Sequence, residues 1–319
     1  MTEPLVPNRT EILSSVDHVQ EALQRHRYIG TSRIATVVYL AFHLRKPVLV
    51  EGPPGVGKTE LAKTTARMLG LPLIRLQCYE GLDEAKALYE WKYGKQLLYI
   101  QVLKEKLDDA LGGARGLKES VQRLHQHDDI FFSEAFLEPR PLLKALREAD
   151  GSVLLIDEID KSDQEFESLL LEMLSDYQVT IPEIGTIAAA GQPPIVFLTS
   201  NNTREVSDAL KRRCLHLYIP FPDAKLEQQI IQTRVPEIAV ELRRQLVAFV
   251  QALRELDLRK TPAISETIDW ARTLLLLHID ALDAEWVRET LNVLLKFQDD
   301  IDRVEPQLPA LTRRAVGAR

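Results

Sequence analysis

The eight residues from Gly52 to Thr59 constrain the fold of this chain more than any other part of its sequence. They read GPPGVGKT and match the pattern GxxxxGK[ST], in which glycines let backbone N–H groups converge on phosphate oxygens. The apolar run VLVE precedes the motif, and the helical pattern ELAKTTARML follows it. A glycine-rich turn with a chance lysine would not need these flanks, so we predict a phosphate-binding loop between a strand and a helix.

The loop predicts a role for individual side chains. Lys58 is expected to reach the β and γ phosphates of a nucleotide, and the Thr59 hydroxyl is expected to hold Mg²⁺. The positive end of the helix that begins here adds to the attraction for phosphate. The predicted nucleotide contacts come from the loop and the residue after it: Gly52, Pro53, Pro54, Gly55, Val56, Gly57, Lys58, Thr59 and Glu60.

Two adjacent carboxylates follow a second apolar run. The residues VLLI lead into Asp157 and Glu158, which places both acids at the sheet edge where ligands of open α/β folds bind. We predict that Asp157 holds the Mg²⁺ with Thr59, and that Glu158 orients and deprotonates the attacking water. A helix-capping role is expected instead for Asp160 and for Ser162, which opens the capping-box sequence SDQE.

Polar residues also end the next strand and the helix after it. The strand IVFLTSN ends in Asn201, whose amide is expected to contact the γ phosphate or the attacking water rather than only to form a turn. The sequence SDALKRR predicts a capped helix that ends in Lys211, Arg212 and Arg213. Cations are favourable at any helix C-terminus, but an arginine at a domain edge can also reach phosphates bound to a neighbouring subunit.

The order of apolar runs and helical patterns predicts the fold class. Short apolar runs alternate with helical patterns up to Phe221, which is typical of a parallel sheet covered by helices. We predict an α/β fold: an αβα core with a five-stranded parallel sheet, a hairpin in QVTIPEIGTIAAAG, and an all-helical C-terminal domain after Pro222. The five strands are VLVE (48–51), LIRLQ (73–77), VLLIDE (153–158), IVFLTSN (195–201) and LHLYIPF (215–221).

Composition excludes several other classes of protein. The chain has 40 Lys and Arg against 47 Asp and Glu, a net charge of −7, so a nucleic-acid groove is not expected. Its longest apolar run, residues 34–42, is far shorter than the ~20 residues that span a bilayer, and we expect a cytoplasmic protein without a membrane span. Two cysteines, Cys78 and Cys214, are too few for a disulfide framework and lack the spacing of a zinc site.

The motifs GPPGVGKT, LLIDEID, TSNN and ALKRRC, in this order, resemble those of AAA+ ATPases, specifically the MoxR family. The segments RLQCYEGLDEAKALYEWKYGKQLL and SETIDWA are similar to CoxD-type members, which help mature the metal centre of carbon monoxide dehydrogenases. The resemblance implies a homo-oligomeric, usually hexameric ring driven by ATP and Mg²⁺. It also implies a client protein, of the molybdenum hydroxylase kind, and a co-chaperone with a von Willebrand factor A domain.

The resemblance also implies a division of the chain and of the catalytic roles. Residues 1–26 would form an N-terminal helical segment, 27–221 the AAA+ core, and 222–319 a helical lid. Within the core, an insert in the second helix is expected at about 80–105 and a hairpin before the sensor strand at about 179–190. Asn201 corresponds to sensor 1, and Arg213 to the arginine finger, with Arg212 as the reserve candidate.

The insert explains why 99 positions separate Lys58 from Asp157, far more than a βα unit of ~30 residues needs. Tyr89, Trp91 and Tyr93 alternate within it, close to Tyr99. On an extended arm the first three rings would share one face, which either packs against the insert's own sheet or faces the pore and grips a client. We expect the second arrangement, in which the rings are exposed.

One position departs from the family pattern. Members carry an arginine near the start of a lid helix, but the aligned stretch here is Ser265-Glu266-Thr267, with Thr267 at the arginine's place. Either a nearby cation replaces it or the lid couples weakly to the nucleotide, and the sequence does not choose between these. The nearby cations are Arg259, Lys260 and Arg272. The family pattern also implies that the adenine lies against residues around Tyr28, Ile29 and Gly30.

Two other functions use the same motifs. A nucleic-acid motor would hydrolyse ATP, but it should carry a basic stripe, which the net charge disfavours. A nucleotide-gated scaffold would bind ATP with little turnover, and it would not need Glu158, Asn201 and Arg213 together. We therefore expect an ATP-hydrolysing chaperone that remodels or matures a client enzyme.

Overall fold

A computed structural model describes residues 9–99, 101 and 133–317 of the chain. Its strands are, in chain order, β1 (Val48–Glu51), β2 (Leu73–Gln77), β3 (Tyr89–Trp91), β4 (Leu137–Pro139), β5 (Val153–Asp157), β6 (Gln178–Ile181), β7 (Gly185–Ala188), β8 (Ile195–Ser200) and β9 (Leu215–Tyr218). Five of them form a parallel sheet in the order β2-β5-β8-β1-β9. The predicted α/β fold with a five-stranded parallel sheet is confirmed.

The residue types of each strand match its place in the sheet. Every residue of the central strands β5 and β8 is buried, because helices cover both faces of a parallel sheet and favour continuous apolar runs. The edge strands β2 and β9 carry exposed polar residues instead. The parallel register pairs Gln77 with Asp157 and Glu51 with Ser200, so the polar residues that end these strands meet at one edge of the sheet.

Helices cover the sheet and form the whole of the C-terminal region. The helices that precede or flank the sheet strands are α1 (Arg9–Ile12), α2 (Val16–Arg25), α3 (Ser32–Leu44), α4 (Lys58–Leu69), α5 (Glu84–Ala87), α6 (Pro141–Arg147), α7 (Gln164–Asp176) and α8 (Asp208–Arg213). The C-terminal helices are α9 (Ala224–Arg234), α10 (Val240–Arg254), α11 (Ile264–Leu276), α12 (Ala284–Leu294), α13 (Gln298–Val304) and α14 (Leu308–Gly317). Across the described residues, none of the helices has the length and apolar character needed to cross a membrane.

Three apolar cores hold these layers together. Alternate residues of β5 point to opposite faces of the sheet. Leu154 and Ile156 join a core with α6 and α7, whereas Val153 and Leu155 join a second core with α2, α3 and α4. The C-terminal helices have a separate core around Trp270, whose ring lies 5.4 Å from that of Phe249. The second core fixes the helix that begins in the phosphate loop against the sheet.

The start of α7 differs from the sequence prediction. The Asp163 carboxylate accepts a hydrogen bond from the Phe166 N–H at 2.9 Å and caps the helix. Ser162 instead donates its hydroxyl to the Ile159 carbonyl at 2.8 Å. The predicted Ser162 cap is therefore wrong by one residue, because a preceding turn of 3₁₀ helix, Ile159–Lys161, already uses the serine hydroxyl.

The predicted row of exposed rings is also wrong. Trp91 is only 8% exposed and belongs to the core cluster that includes Phe136 and Leu137 of the facing strand region. Tyr93 is 61% exposed and lies at the start of a helical segment, residues 93–99, so the alternation of an extended strand ends before it. Tyr89 packs edge-on against Trp91 at 6.0 Å. The remainder of the predicted insert, residue 100 and residues 102–105, lies outside the described residues.

This burial predicts a structural role for Trp91. We expect Trp91→Ala to lower the free energy of unfolding by about 3–5 kcal/mol, because it empties a packed aromatic site. Denaturant unfolding measured by circular dichroism checks this value. Tyr93→Ala is the matched control and should leave the unfolding free energy nearly unchanged. Equal stability of the two variants would contradict the packing described here.

Candidate nucleotide-binding site

The phosphate loop is packed so tightly that two of its glycines cannot be replaced. Gly52 has a φ of +148°, and a Cβ added there would lie 2.2 Å from the Ile219 carbonyl oxygen. Gly55 has a φ of +74°, and its added Cβ would lie 2.4 Å from the Cβ of Ala263. The loop therefore lies between the end of the sheet and the residues that begin helix α11, and its lack of side chains lets a ligand approach the backbone N–H groups closely.

The Lys58 ammonium links the phosphate loop to Asn201, the residue that follows β8. It donates to the carbonyls of Gly52 at 2.6 Å and Pro53 at 2.7 Å, and to the Asn201 side-chain oxygen at 2.8 Å. Burial lowers the pKa of Lys58 to about 8, although the carboxylates of Asp160 and Asp157 raise it in part. An anionic phosphate would stabilise this poorly solvated cation, which agrees with the predicted role of Lys58.

Thr59 and Asp157 lie together where the sequence predicts a metal. The Thr59 hydroxyl lies 3.1 Å from Oδ1 of Asp157, which also accepts the Thr199 hydroxyl at 2.5 Å. Hydroxyl and carboxylate oxygens are the hard ligands that Mg²⁺ takes, usually with several waters. The donor set therefore fits a magnesium ion held by these two residues and by phosphate oxygens.

Strand β2 contributes two residues that sequence reasoning missed. Arg75 donates to Oδ2 of Asp157 at 2.6 Å, and Gln77 donates to Oε2 of Glu158 at 2.8 Å. The two side chains alternate along LIRLQ and therefore share one face of the strand. The sequence contained a signal for both residues. Polar side chains alternate up to the end of this strand, and the ends of parallel strands lie at the same sheet edge as Asn201.

Glu158 lies at the end of β5 in a left-handed conformation, with a φ of +59°. Its backbone N–H donates to the Thr199 hydroxyl at 2.9 Å, and its carboxylate pairs with Lys161 at 2.7 Å. The Asn201 amide nitrogen lies 3.4 Å from its other oxygen. This arrangement places the predicted base and the predicted sensor side by side.

Asp160 does not cap a helix, which corrects the sequence prediction. Its Oδ2 accepts the backbone N–H groups of Asn201 at 3.2 Å and Thr203 at 3.0 Å, and the Thr203 hydroxyl at 2.6 Å. Burial alone would raise the pKa of Asp160, but these hydrogen bonds outweigh it and lower the pKa. The ionised carboxylate therefore fixes the backbone that carries Asn201.

A cavity of about 620 Å³ opens beside the phosphate loop, between the core and the C-terminal helices. Tyr28, Ile29 and Gly30 line one side, as the family pattern implies for the adenine, and Gly55 and Gly57 line another. Burial raises the pKa of the Tyr28 hydroxyl, so it is neutral over the physiological range. The cavity has the size and the mainly apolar lining of a small-molecule site.

Glu60 joins the phosphate-loop helix to the C-terminal helices. Its Oε1 accepts hydrogen bonds from Arg67 at 2.7 Å and from Arg234 at 3.0 Å. Burial would raise the pKa of Glu60, but the two guanidinium groups lower it overall. Glu60 and Arg234 both line the cavity, so one wall of it is held by an ionic contact between the two parts of the chain.

Thr267, which aligns with the family arginine, is not among the described residues that line the cavity. Thr267 is buried and donates to Glu227 at 2.9 Å, within the Arg254–Glu227 ion pair of the helical region. The residue of that stretch nearest the phosphate loop is Ser265, whose hydroxyl would lie 2.8 Å from a Cβ at Gly55. The helical turn separates Ser265 and Thr267 by about 200°, so the two residues lie on different sides of α11.

Of the three suggested substitutes, Arg272 lines the cavity and pairs with Asp269 at 3.5 Å. Arg259 instead stacks on the Phe297 ring at 4.2 Å, and Lys260 pairs with Glu266 at 3.4 Å. Arg272 is therefore the lid cation of these three that lies at the nucleotide cavity.

Arg212 and Arg213 lie at the end of α8 and differ in their contacts. The Arg213 Nε donates to the Ser175 hydroxyl on α7 at 2.7 Å. Neither arginine lines the nucleotide cavity formed by the described residues of its own chain. The structure brings together Lys58, Thr59, Asp157, Glu158 and Asn201, and leaves these arginines at a different surface.

Comparison with known proteins identifies the family. The model of the AAA domain, dynein-related subfamily, matches residues 47–214, more than half of the 319-residue chain. Uncharacterized proteins of Staphylococcus epidermidis RP62A and Staphylococcus haemolyticus are 26% and 27% identical, each over 73% of this chain and 77% of the relative. The solved RuvB Holliday junction branch migration motor of Thermotoga maritima is 19% identical with a TM-score of 0.45, over 88% of this chain and 72% of that one. The motif residues lie in the matched range, and the chain belongs to the AAA domain family, in its dynein-related subfamily.

Proposed function

We propose that this protein hydrolyses ATP and works as a ring-shaped chaperone of the MoxR type. The observation that carries the proposal is the convergence of a lysine, a hydroxyl, two carboxylates and an amide at one sheet edge: Lys58, Thr59, Asp157, Glu158 and Asn201. Nucleotide binding alone requires only Lys58, Thr59 and Asp157. The placement of Glu158 beside Asn201 supplies the base and the orienting amide that hydrolysis needs.

The residues divide the reaction between them. Loop N–H groups and Lys58 bind the β and γ phosphates, and Thr59 with Asp157 would hold Mg²⁺. When bound, Mg²⁺ neutralises charge on the phosphate oxygens. Glu158 takes a proton from the attacking water, and Asn201 orients that water or the γ phosphate.

The position of the arginines supports action between subunits. Arg213 lies outside the cavity of its own chain, and an arginine supplied by a neighbour can raise turnover by about 10³–10⁵. We expect Arg213→Ala to retain ATP affinity and to lose hydrolysis in the homomeric protein. ATP turnover of the variant, measured as phosphate release, checks this, and Arg212→Ala shows which of the two arginines acts.

Mixing subunits tests the assignment directly. Lys58→Ala subunits lack a nucleotide site but retain the arginine, so they should restore part of the activity of Arg213→Ala subunits in a mixed ring. The mixture should exceed the sum of its parents once the subunits have exchanged. A mixture no more active than its parents, under conditions of proven exchange, would contradict action in trans.

The client proposal rests on the sequence similarity of the insert and the lid to CoxD-type ATPases. We propose a hexameric ring that acts with a von Willebrand factor A domain partner on a metalloenzyme of the molybdenum hydroxylase kind. Phosphate release measured with and without the partner and client tests this. Stimulation by DNA or RNA instead would favour the nucleic-acid motor, and binding without turnover would favour the scaffold.

A further inference from the structure

An ion pair between the buried Glu167 carboxylate and the partly exposed Arg204 lies between β8 and α8, outside the catalytic group described above. Glu167 lies in the first turn of α7 and is buried. One of its carboxylate oxygens accepts a hydrogen bond from Arg204, and the other accepts the Ser207 backbone N–H at 2.9 Å. Ser207 is the N-cap residue of α8. A buried carboxylate with these partners fixes the point at which α8 begins.

Helix α7 therefore holds α8 at both ends. At the start of α8, Glu167 binds Ser207, and at its end, Ser175 accepts the hydrogen bond from Arg213. Leu210, between them, is buried in the same apolar core as Phe166 of α7. The contacts with α7 therefore help to set the direction in which Arg213 leaves the domain.

The segment between Asn201 and Ser207 is held by two different acids. Asp160 binds its first half, through the N–H groups of Asn201 and Thr203. Glu167 binds its second half through Arg204, which also donates to the Ser162 carbonyl at 2.8 Å. The first half begins at Asn201, whose predicted target is the subunit's own nucleotide. The second half leads into α8, which ends at Arg213, whose predicted target is the neighbour's nucleotide.

We propose that the Glu167–Arg204 pair is a positioning device for the arginine that acts on the adjacent subunit, whereas Asp160 positions Asn201 for the subunit's own site. The inference rests on the proposed hydrolysis in trans. A displacement of a catalytic group by about 1 Å can lower the reaction rate by about 100-fold. Breaking the pair should therefore lower turnover by about 100-fold and leave nucleotide binding unchanged.

The first test is Arg204→Gln in the full chain. We expect a loss of kcat on the order of 100-fold, with KM for ATP and the affinity for a fluorescent ATP analogue unchanged. The matched control is Arg147→Gln, since Arg147 is an ion-paired arginine of the core with similar side-chain exposure, 30% against 35%. The control should retain full turnover, and an equal loss in both variants would overturn the inference.

Mixing variant subunits shows whether a substitution impairs the subunit's own nucleotide site or the arginine that it supplies to its neighbour. Arg204→Gln subunits should recover activity when mixed with Lys58→Ala subunits, which supply an intact arginine, and should not recover with Arg213→Ala subunits. Asp160→Asn subunits should behave in the opposite way, because their own site is impaired and their arginine is intact. A merely structural role would produce no such reciprocal pattern.

The outcomes separate this inference from the proposed function. If the Arg213→Ala and Lys58→Ala cross fails to recover, the action in trans itself is wrong. If that cross recovers and the Arg204→Gln and Lys58→Ala cross does not, the positioning role alone is overturned. Should Arg204→Gln fail to fold by circular dichroism, Arg204→Lys replaces it in the same crosses, because lysine retains the charge and lacks the planar guanidinium.

Discussion

Lys58→Ala is expected to weaken ATP binding by about 100-fold. The ammonium is the predicted contact to the β and γ phosphates, and a hydrogen bond to a charged group contributes about 1.5–3 kcal/mol. Burial already lowers its pKa to about 8, so a bound anion gains more from this cation than from a solvated one. Removing it should therefore weaken binding by about 100-fold, near the upper end of that range, measured by titration with a fluorescent ATP analogue.

Lys63→Ala provides the matched control for that titration. Lys63 lies on the same helix, α4, five residues after Lys58, and does not line the nucleotide cavity that the described residues form. Its replacement should leave ATP affinity unchanged. Unchanged affinity in Lys58→Ala as well would mean that the phosphates do not bind at this loop.

Glu158→Gln is expected to bind ATP normally and to hydrolyse it about 10²–10⁴-fold more slowly. Glutamine retains the size of the side chain and can accept the hydrogen bond from Gln77, but it cannot accept a proton from water. It also loses the ion pair with Lys161, which is half-exposed and contributes little to stability. Single-turnover phosphate release, measured beside an equilibrium binding titration, separates the two effects.

The control for this change is Glu165→Gln. Glu165 is an exposed carboxylate in the first turn of α7, within the same acidic segment of the chain. Its turnover should match that of the unaltered protein. Near-normal turnover in Glu158→Gln would show that another group removes the proton. Slow turnover in both variants would show that turnover depends on the negative charge of this segment and not on Glu158 as the base.

Much of the site was predictable because parallel strands obey a simple geometric rule. Residues that end such strands meet at one edge, so Asp157, Glu158 and Asn201 were recognisable from short apolar runs alone. Arg75 and Gln77 follow the same rule on the predicted strand LIRLQ, but they belong to no phosphate-binding motif, so no role was predicted for them. The partners of Asp160 depend on where a loop folds back, which no local pattern encodes.

The wrong predictions share one physical cause, the local direction of the backbone. The alternation of Tyr89, Trp91 and Tyr93 predicts a shared face only if the strand continues, and it ends at Trp91. Ser162 was predicted to cap α7, but the 3₁₀ turn that precedes the helix uses its hydroxyl. In each case the residue types were read correctly, and the local direction of the backbone decided what they contact.

The cavity has walls from both parts of the chain, and this has a consequence for the timing of turnover. Gly55 touches the start of α11, and Glu60 is bound to Arg234 of α9, so a nucleotide in the cavity is enclosed by surfaces that belong to two cores. A movement of the helical region relative to the sheet would therefore change the shape of the enclosure. We expect the rate of nucleotide exchange to depend on these two contacts, separately from the chemistry at Glu158.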